Sequence, residues 1–436
     1  MINREYLIQK LLQVKTAEER IRDIRPMPKS AIILGGGGIT AKTYGPKFAK
    51  ADLPIVALLD TKTKDQAVSL EVLDQVDYYQ IPQNYNICDI EKIIHNYSDS
   101  ALIVMTPQQT HTSILEKLAP LLDKRQIPVW IDKPLAMSVD EVVRISKLID
   151  RFPNLAHLLV SGGFTLDKAT PELTLLEGSQ KDFLGKLKNV QFLFMEGSRQ
   201  FREVIGSYGR PHLAFYPGGG MLGDLLEHLT DKLIRMNIID LKSEFLSVYL
   251  GYTPMGEANT SIPWQVPEKK GLAETEAELV IYGKDKLPIF LNFGKRGAQF
   301  LGDIRRSKLV FENAVLETDY SDSGNDYTSF FSVTTKDFKT TTELSKDPYI
   351  LMLERYKKLW SGGINGQGGI YAQLVNAVMI DDIYKIWKGE KPLIFQQSPK
   401  SKAFRDISNY KNSDEYFFRQ QRDWEAFLRL HQSIIL

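Results

Sequence analysis

The chain has 436 residues, of which 43% are hydrophobic and 25% charged, and its formal net charge is +1. These are ordinary values for a globular chain of two or three domains. Near-neutrality without a long run of one sign excludes the basic footprint of a nucleic-acid or anionic-membrane binder, so the expected partner is a small molecule. The single cysteine, Cys88, excludes an internal disulfide framework and points to a reducing, cytoplasmic setting.

Arg4, Glu5, Gln9 and Lys10 interrupt the first apolar residues, so no signal-peptide core is expected there. No apolar run approaches the roughly 20 residues that cross a bilayer. Residues 1–28 read as an N-terminal helical extension, an appendage in which Tyr6, Leu7, Leu11 and Val14 share one face. From residue 29, short apolar runs at 31–34, 55–59, 101–105, 129–131 and 155–160 alternate with helix-period stretches such as Ile114, Leu115, Leu118, Leu121 and Leu122. Alternation of this kind predicts parallel strands joined by right-handed helical crossovers, an α/β doubly wound sheet over residues 29–153. After about residue 185, strand-like runs at 190–195, 245–252, 277–282, 288–293, 308–311 and 330–334 predict a second, α+β domain over 154–394, built on a large, mostly antiparallel sheet. Helical patterns return at 349–359, 371–387 and 415–430, the last within a C-terminal helical extension at 395–436.

The first strand runs into Gly35-Gly36-Gly37-Gly38-Ile39-Thr40, which places glycines at the first two positions of G-x-G-x-x-G and Thr40 at the third. Such glycines let the backbone approach a pyrophosphate whose charge meets the amides of the next helix, although a plain strand-to-helix turn has the same composition. Asp60 shifts the balance. It ends the second strand, 60 − 37 = 23 residues beyond Gly37, close to the spacing of about 20 at which an acid binds a ribose hydroxyl. A carboxylate there repels a 2′-phosphate, so NAD is preferred over NADP; Lys62 and Lys64 either soften that preference or are solvated turn residues.

Asp224 and His228 lie four residues apart, just after Gly218-Gly219-Gly220. On a helix, Leu222, Leu225, Leu226, Leu229, Leu233 and Met236 share one face, and Asp224, His228 and Asp231 the other. A carboxylate beside a histidine suits general acid/base chemistry, while polar residues opposite an apolar stripe are more commonly a solvated face. The scattered histidines and lone cysteine offer no metal-ligand set.

Three strings complete the pattern: Thr106-Pro107-Gln108-Gln109-Thr110-His111, Ile131-Asp132-Lys133-Pro134-Leu135-Ala136, and the helix that follows the triple glycine. With the glycine turn, and in this order, they make roughly residues 30–390 resemble the Gfo/Idh/MocA family, relatives of glucose-fructose oxidoreductase and inositol dehydrogenase. That resemblance implies a Rossmann domain in which Gly35, Gly36, Gly37, Gly38, Ile39, Thr40, Asp60, Thr106, Pro107, Gln108, His111, Asp132 and Lys133 border the dinucleotide. It implies catalysis by Lys133, Asp224 and His228 on a secondary alcohol of a sugar, polyol or sugar derivative, and assembly as a homodimer or homotetramer. Asp132 stands where the family more often has glutamate, Leu226 where a glycine is common, and Gly163-Phe164 where Asn-Arg is common, departures that bear on substrate identity.

Read as chemistry, a lysine at a strand C-terminus would hydrogen-bond the reacting oxygen while His228 takes the hydroxyl proton, the two meeting over a bound pyridine ring. Lys133 also reads as a surface ion pair with Asp132, and His111 as a helix-start residue that packs or caps. Arg199, Arg202, Tyr208, Arg210, His212 and Tyr216 read equally as a substrate loop and as solvated or subunit-contact residues. Two rival functions remain open: a glycosidase-like member that oxidises transiently with tightly held NAD, and a non-catalytic nucleotide-binding sensor.

Overall fold

A computed structural model describes residues 3–20, 23–35, 44–64, 76–82, 85–162, 181–197, 222–251, 276–297, 304–319, 329–344, 347–363 and 368–388. The chain divides into two compact units, Met1–Asp167 with Asp347–Val378, and Lys168–Lys346 with Met379–Leu436.

The first unit is built on six parallel strands: β1 (Ser30–Leu34), β2 (Ile55–Asp60), β3 (Asp77–Gln80), β4 (Ser100–Val104), β5 (Val129–Ile131) and β6 (Leu159–Val160). Their order is β3-β2-β1-β4-β5-β6, the doubly wound arrangement expected for residues 29–153. Every residue of β4 is buried, and in β1 all but Ser30 are, as central parallel strands covered on both faces require. Helix α1 is Arg4–Glu19, and the crossover elements include α2 (Gly45–Lys50), α3 (Ile87–Asn96), α4 (His111–Arg125) and α5 (Val139–Arg151). Local chemistry sets their ends. Asn86 and Asp89 form a reciprocal capping box on α3, and the Ser138 hydroxyl accepts the Glu141 amide at the start of α5.

The run at 155–160, expected as strand throughout, is one helical turn, α6 (Leu155–Leu158), followed by a two-residue strand. A short buried apolar run has no periodicity to separate the two, and the Asn154 carbonyl accepts the amides of His157 and Leu158. The N-terminal helix α1 packs on α5 and α6 with Leu7, Leu11 and Val14 buried.

A later helix, α9 (Pro348–Trp360), belongs to the same unit and packs on α2. Tyr356 lies 5.6 Å from Trp130 on β5, and Tyr44 meets Trp130 edge-on at 5.1 Å.

The second unit contains α7 (Lys181–Leu184) and an eight-stranded sheet: β7 (Leu187–Gly197), β8 (Glu244–Gly251), β9 (Glu276–Tyr282), β10 (Pro288–Gly297), β11 (Ile304–Phe311), β12 (Ala314–Asp319), β13 (Ser329–Thr335) and β14 (Lys339–Leu344). The order is β14-β13-β12-β11-β7-β10-β9-β8. Within it, β7 and β10 run parallel and the other pairs antiparallel. In β12 burial alternates strictly, so one face is covered and the other more open. Against β10 packs a π-helical turn, Leu222–Leu226, which leads into α8 (Glu227–Arg235). Helix α10 (Ile370–Lys388) is shared between the two units. Among the described residues no helix is long and apolar enough to cross a membrane.

Candidate active site

In the first unit the described site residues collect at the carboxyl ends of four neighbouring strands, β2, β1, β4 and β5, where doubly wound sheets bind ligands. Gly35 directly follows β1 with φ +101°, and a Cβ there would stand 2.9 Å from the Met105 carbonyl carbon and oxygen. Only glycine fits that position, because any side chain would run into the backbone that follows β4. Gly36, Gly37, Gly38, Ile39 and Thr40 lie outside the described residues, as do Gly163-Phe164, Gly218 to Met221 and the segment from Arg199 to Tyr216.

Asp60 ends β2, half-buried, and its Oδ1 accepts the Lys62 amide at 3.0 Å. The carboxylate thereby closes the turn it sits on. Burial, and secondarily the Asp60 charge, raise the Tyr78 phenol above its ordinary value of 10.0.

The loop after β4 carries the Thr106-to-His111 string. Pro107 is exposed and Thr106 half-buried, with the Thr106 hydroxyl accepting from Thr110 at 2.8 Å. Gln108 is 7% exposed, and its side-chain amide nitrogen has no hydrogen-bond partner among the described residues. A buried amide donor left open at a strand end fits a polar ligand such as a dinucleotide. His111 starts α4 and is 1% exposed; its Nδ1 lies 2.8 Å from the Pro134 carbonyl oxygen and its Nε2 2.9 Å from that of Thr106.

Asp132 and Lys133 follow β5. The Asp132 carboxyl, 8% exposed, accepts from the Tyr44 hydroxyl at 3.3 Å and from the Lys133 amide. Burial raises its pKa above the ordinary 3.8, opposed by the charges of Lys133 and His111. Lys133 is half-buried and its bond to Pro134 is cis.

In the second unit the helix expected to be α-helical from Leu222 begins instead as the π turn. This wider turn changes the angular offset between Asp224, inside it, and His228, beyond it; π turns recur at functional sites. The polar face is not solvated: Glu227 is 0% and His228 5% exposed. Glu227 Oε1 stands 3.7 Å from His228 Nδ1, and the Phe194 ring of β7 stacks on the imidazole at 5.6 Å with planes 14° apart. Asp224 is half-buried. Next along the helix, Lys232 Nζ donates to the Ser307 hydroxyl at 3.1 Å over the Phe192 ring, and Arg235 pairs with Asp231 at 2.9 Å. Sequence reasoning missed Tyr44, Glu227 and Phe194. Glu227 carried a signal, an acid beside the candidate histidine; the other two become neighbours only through the fold.

The family model for oxidoreductases with an NAD-binding Rossmann fold, GFO_IDH_MocA, matches residues 29–158. This domain belongs to the Gfo/Idh/MocA oxidoreductase family. Beyond it, the fold resembles whole solved chains of Gfo/Idh/MocA type. KijD10, a 3-ketoreductase from Actinomadura kijaniata seen with NADP and TDP-benzene, is 12% identical, with a TM-score of 0.57 over 82% of this chain and 97% of its own. A putative NADPH-dependent oxidoreductase from Desulfitobacterium hafniense is 14% identical, with a TM-score of 0.59 over 83% and 96%. UDP-N-acetylglucosamine 3-dehydrogenase GnnA from Acidithiobacillus ferrooxidans is 13% identical, with a TM-score of 0.54 over 82% and 97%. No curated protein matches the sequence significantly. The matched model is that of an NAD-binding Rossmann fold, and the first unit has the strand order of such a fold.

Proposed function

We propose that the chain is an NAD-dependent oxidoreductase that reversibly oxidises a secondary alcohol of a sugar, polyol or sugar derivative to a ketone. The observation that carries this reading is the grouping of Gly35, Gln108, Asp132 and Lys133 at adjacent strand ends of a Gfo/Idh/MocA domain. Nicotinamide supplies the hydride acceptor when bound. The Lys133 ammonium hydrogen-bonds the reacting oxygen and stabilises developing alkoxide. His228 takes the hydroxyl proton, with Asp224 orienting it from the π turn and the Glu227 carboxyl 3.7 Å from its Nδ1. Asp60 accepts a ribose hydroxyl and repels a 2′-phosphate, which favours NAD over NADP. The lone Cys88, exposed and free, suits a reducing cytoplasm, and the more open face of the β7–β14 sheet is the surface through which a homodimer or homotetramer would form.

The test is reduction of NAD by the purified protein across a panel of polyols, sugars and nucleotide sugars, with mass spectrometry of any small molecule released on denaturation to guide the panel. Lys133→Met should lower turnover by at least about 1,000-fold and leave nucleotide affinity nearly intact. Undiminished turnover removes Lys133 from the mechanism. Sugar release without NADH accumulation would identify glycosidase-type chemistry, and nucleotide binding without hydride transfer to any substrate a sensor.

A further inference from the structure

We propose that His111 is a positioning residue whose doubly protonated ring ties the loop after β4 to the loop after β5 and so fixes where Lys133 stands. Its catalytic consequence rests on the role proposed above for Lys133; the tie itself does not.

Both ring nitrogens of His111 face carbonyl oxygens, Pro134 at 2.8 Å and Thr106 at 2.9 Å. A carbonyl oxygen accepts and never donates. A neutral imidazole has one N–H, so it serves one carbonyl and turns a lone pair towards the other, at a site only 1% exposed. There the missing bond and the lone-pair repulsion are not relieved by water. Only the imidazolium donates to both.

A buried cation also needs a counter-charge, and the same loops supply one. Asp132 is buried and interacts electrostatically with both His111 and Lys133. It is held by the Tyr44 hydroxyl and the Lys133 amide. The charged group that interacts with His111 is thus Asp132 of the β5 loop, which in turn interacts with Lys133 and with the Tyr44 hydroxyl.

The span matters for function because Pro134 directly follows Lys133, while Thr106 opens the loop that presents Gln108. One ring therefore sets the separation of the lysine-bearing loop from a loop of the nucleotide cradle. Its nitrogens are committed to backbone, so its effect on a bound cofactor or substrate passes through those loops.

The experiment uses full-length protein labelled with 15N-histidine, read at neutral pH by long-range nitrogen–proton correlation, with the His111 signal assigned by its loss in His111→Gln. Should that variant not fold, single replacements of the other five histidines assign the signal by elimination. Protons on both nitrogens are expected; a bare nitrogen overturns the proposal whether or not the protein is an active dehydrogenase. In the kinetic arm, kcat should fall from wild type to His111→Gln, which keeps one donor, and again to His111→Phe, which keeps none. The total loss expected is about 100-fold, the scale of a small misplacement of a reacting group, with nucleotide affinity changed far less. Unchanged kcat in folded His111→Phe overturns the proposal. A doubly protonated ring in a protein without dehydrogenase activity would sink the proposed function and leave the tie standing.

Discussion

Glu18, in the last turn of α1, accepts the Ile370 amide at 3.0 Å from a point 352 residues earlier in the chain. Its second oxygen accepts the Tyr371 amide at 3.1 Å, so one fully buried carboxylate serves two of the open donors at the start of α10. Glu18→Ala leaves both amides buried without that acceptor and should cost on the order of 2–4 kcal/mol. Urea denaturation checks this; a midpoint equal to wild type would refute it.

Gly35→Ala should impair both folding and cofactor binding. Its positive φ costs roughly 1–3 kcal/mol for a residue with a side chain, and the added methyl runs into Met105 backbone, which cannot rotate away as a flexible side chain would. NADH fluorescence titration reads the affinity loss, and thermal melting the destabilisation. Wild-type values in both would mean that the β1 end is more yielding than its geometry implies.

Asp132→Asn isolates the effect of burial on the Asp132 proton. The folded chain holds this proton to higher pH than the unfolded one, so its stabilising contribution is complete below 3.8 and is lost as pH rises through the folded value. Asparagine does not ionise. The stability of wild type minus that of the variant should therefore fall as pH rises from 3.8 through the folded value. Parallel stability curves would show that Asp132 titrates alike in both states.

Phe194→Leu removes the ring stacked on His228 while keeping an apolar side chain. Such stacks are worth about 0.5–1.5 kcal/mol, so kcat should drop roughly 2- to 12-fold if the stack orients the imidazole. KM and the melting temperature should move little. A change confined to KM would assign Phe194 to substrate contact instead.

Legibility from sequence followed burial. The central strands β1 and β4 were visible as unbroken apolar runs because both their faces are covered. Strands β3, Asp-Tyr-Tyr-Gln, and β14, Lys-Thr-Thr-Thr-Glu-Leu, were not, since each lies at a sheet edge and carries few buried residues. At the site, Asp132, Lys133 and His111 were readable as a motif, and their relation was not. His111 bonds carbonyls 5 and 23 residues away, a link made by the fold and invisible to any spacing rule. Glu227 went unread as a partner of His228 because neighbours on a helix point apart, and here they still come within 3.7 Å at the junction of a π turn and an α-helix.

The Rossmann unit is interrupted in sequence, Met1–Asp167 being completed by Asp347–Val378. During translation its sheet leaves the ribosome well before α9, and through that interval Trp130 waits without Tyr356 and Trp360 to cover it. A fragment cut at residue 167 is left in that exposed state for good. It is therefore the wrong reagent for measuring nucleotide binding: a soluble, binding-competent form needs the returning helix supplied in cis, or as a complementing peptide.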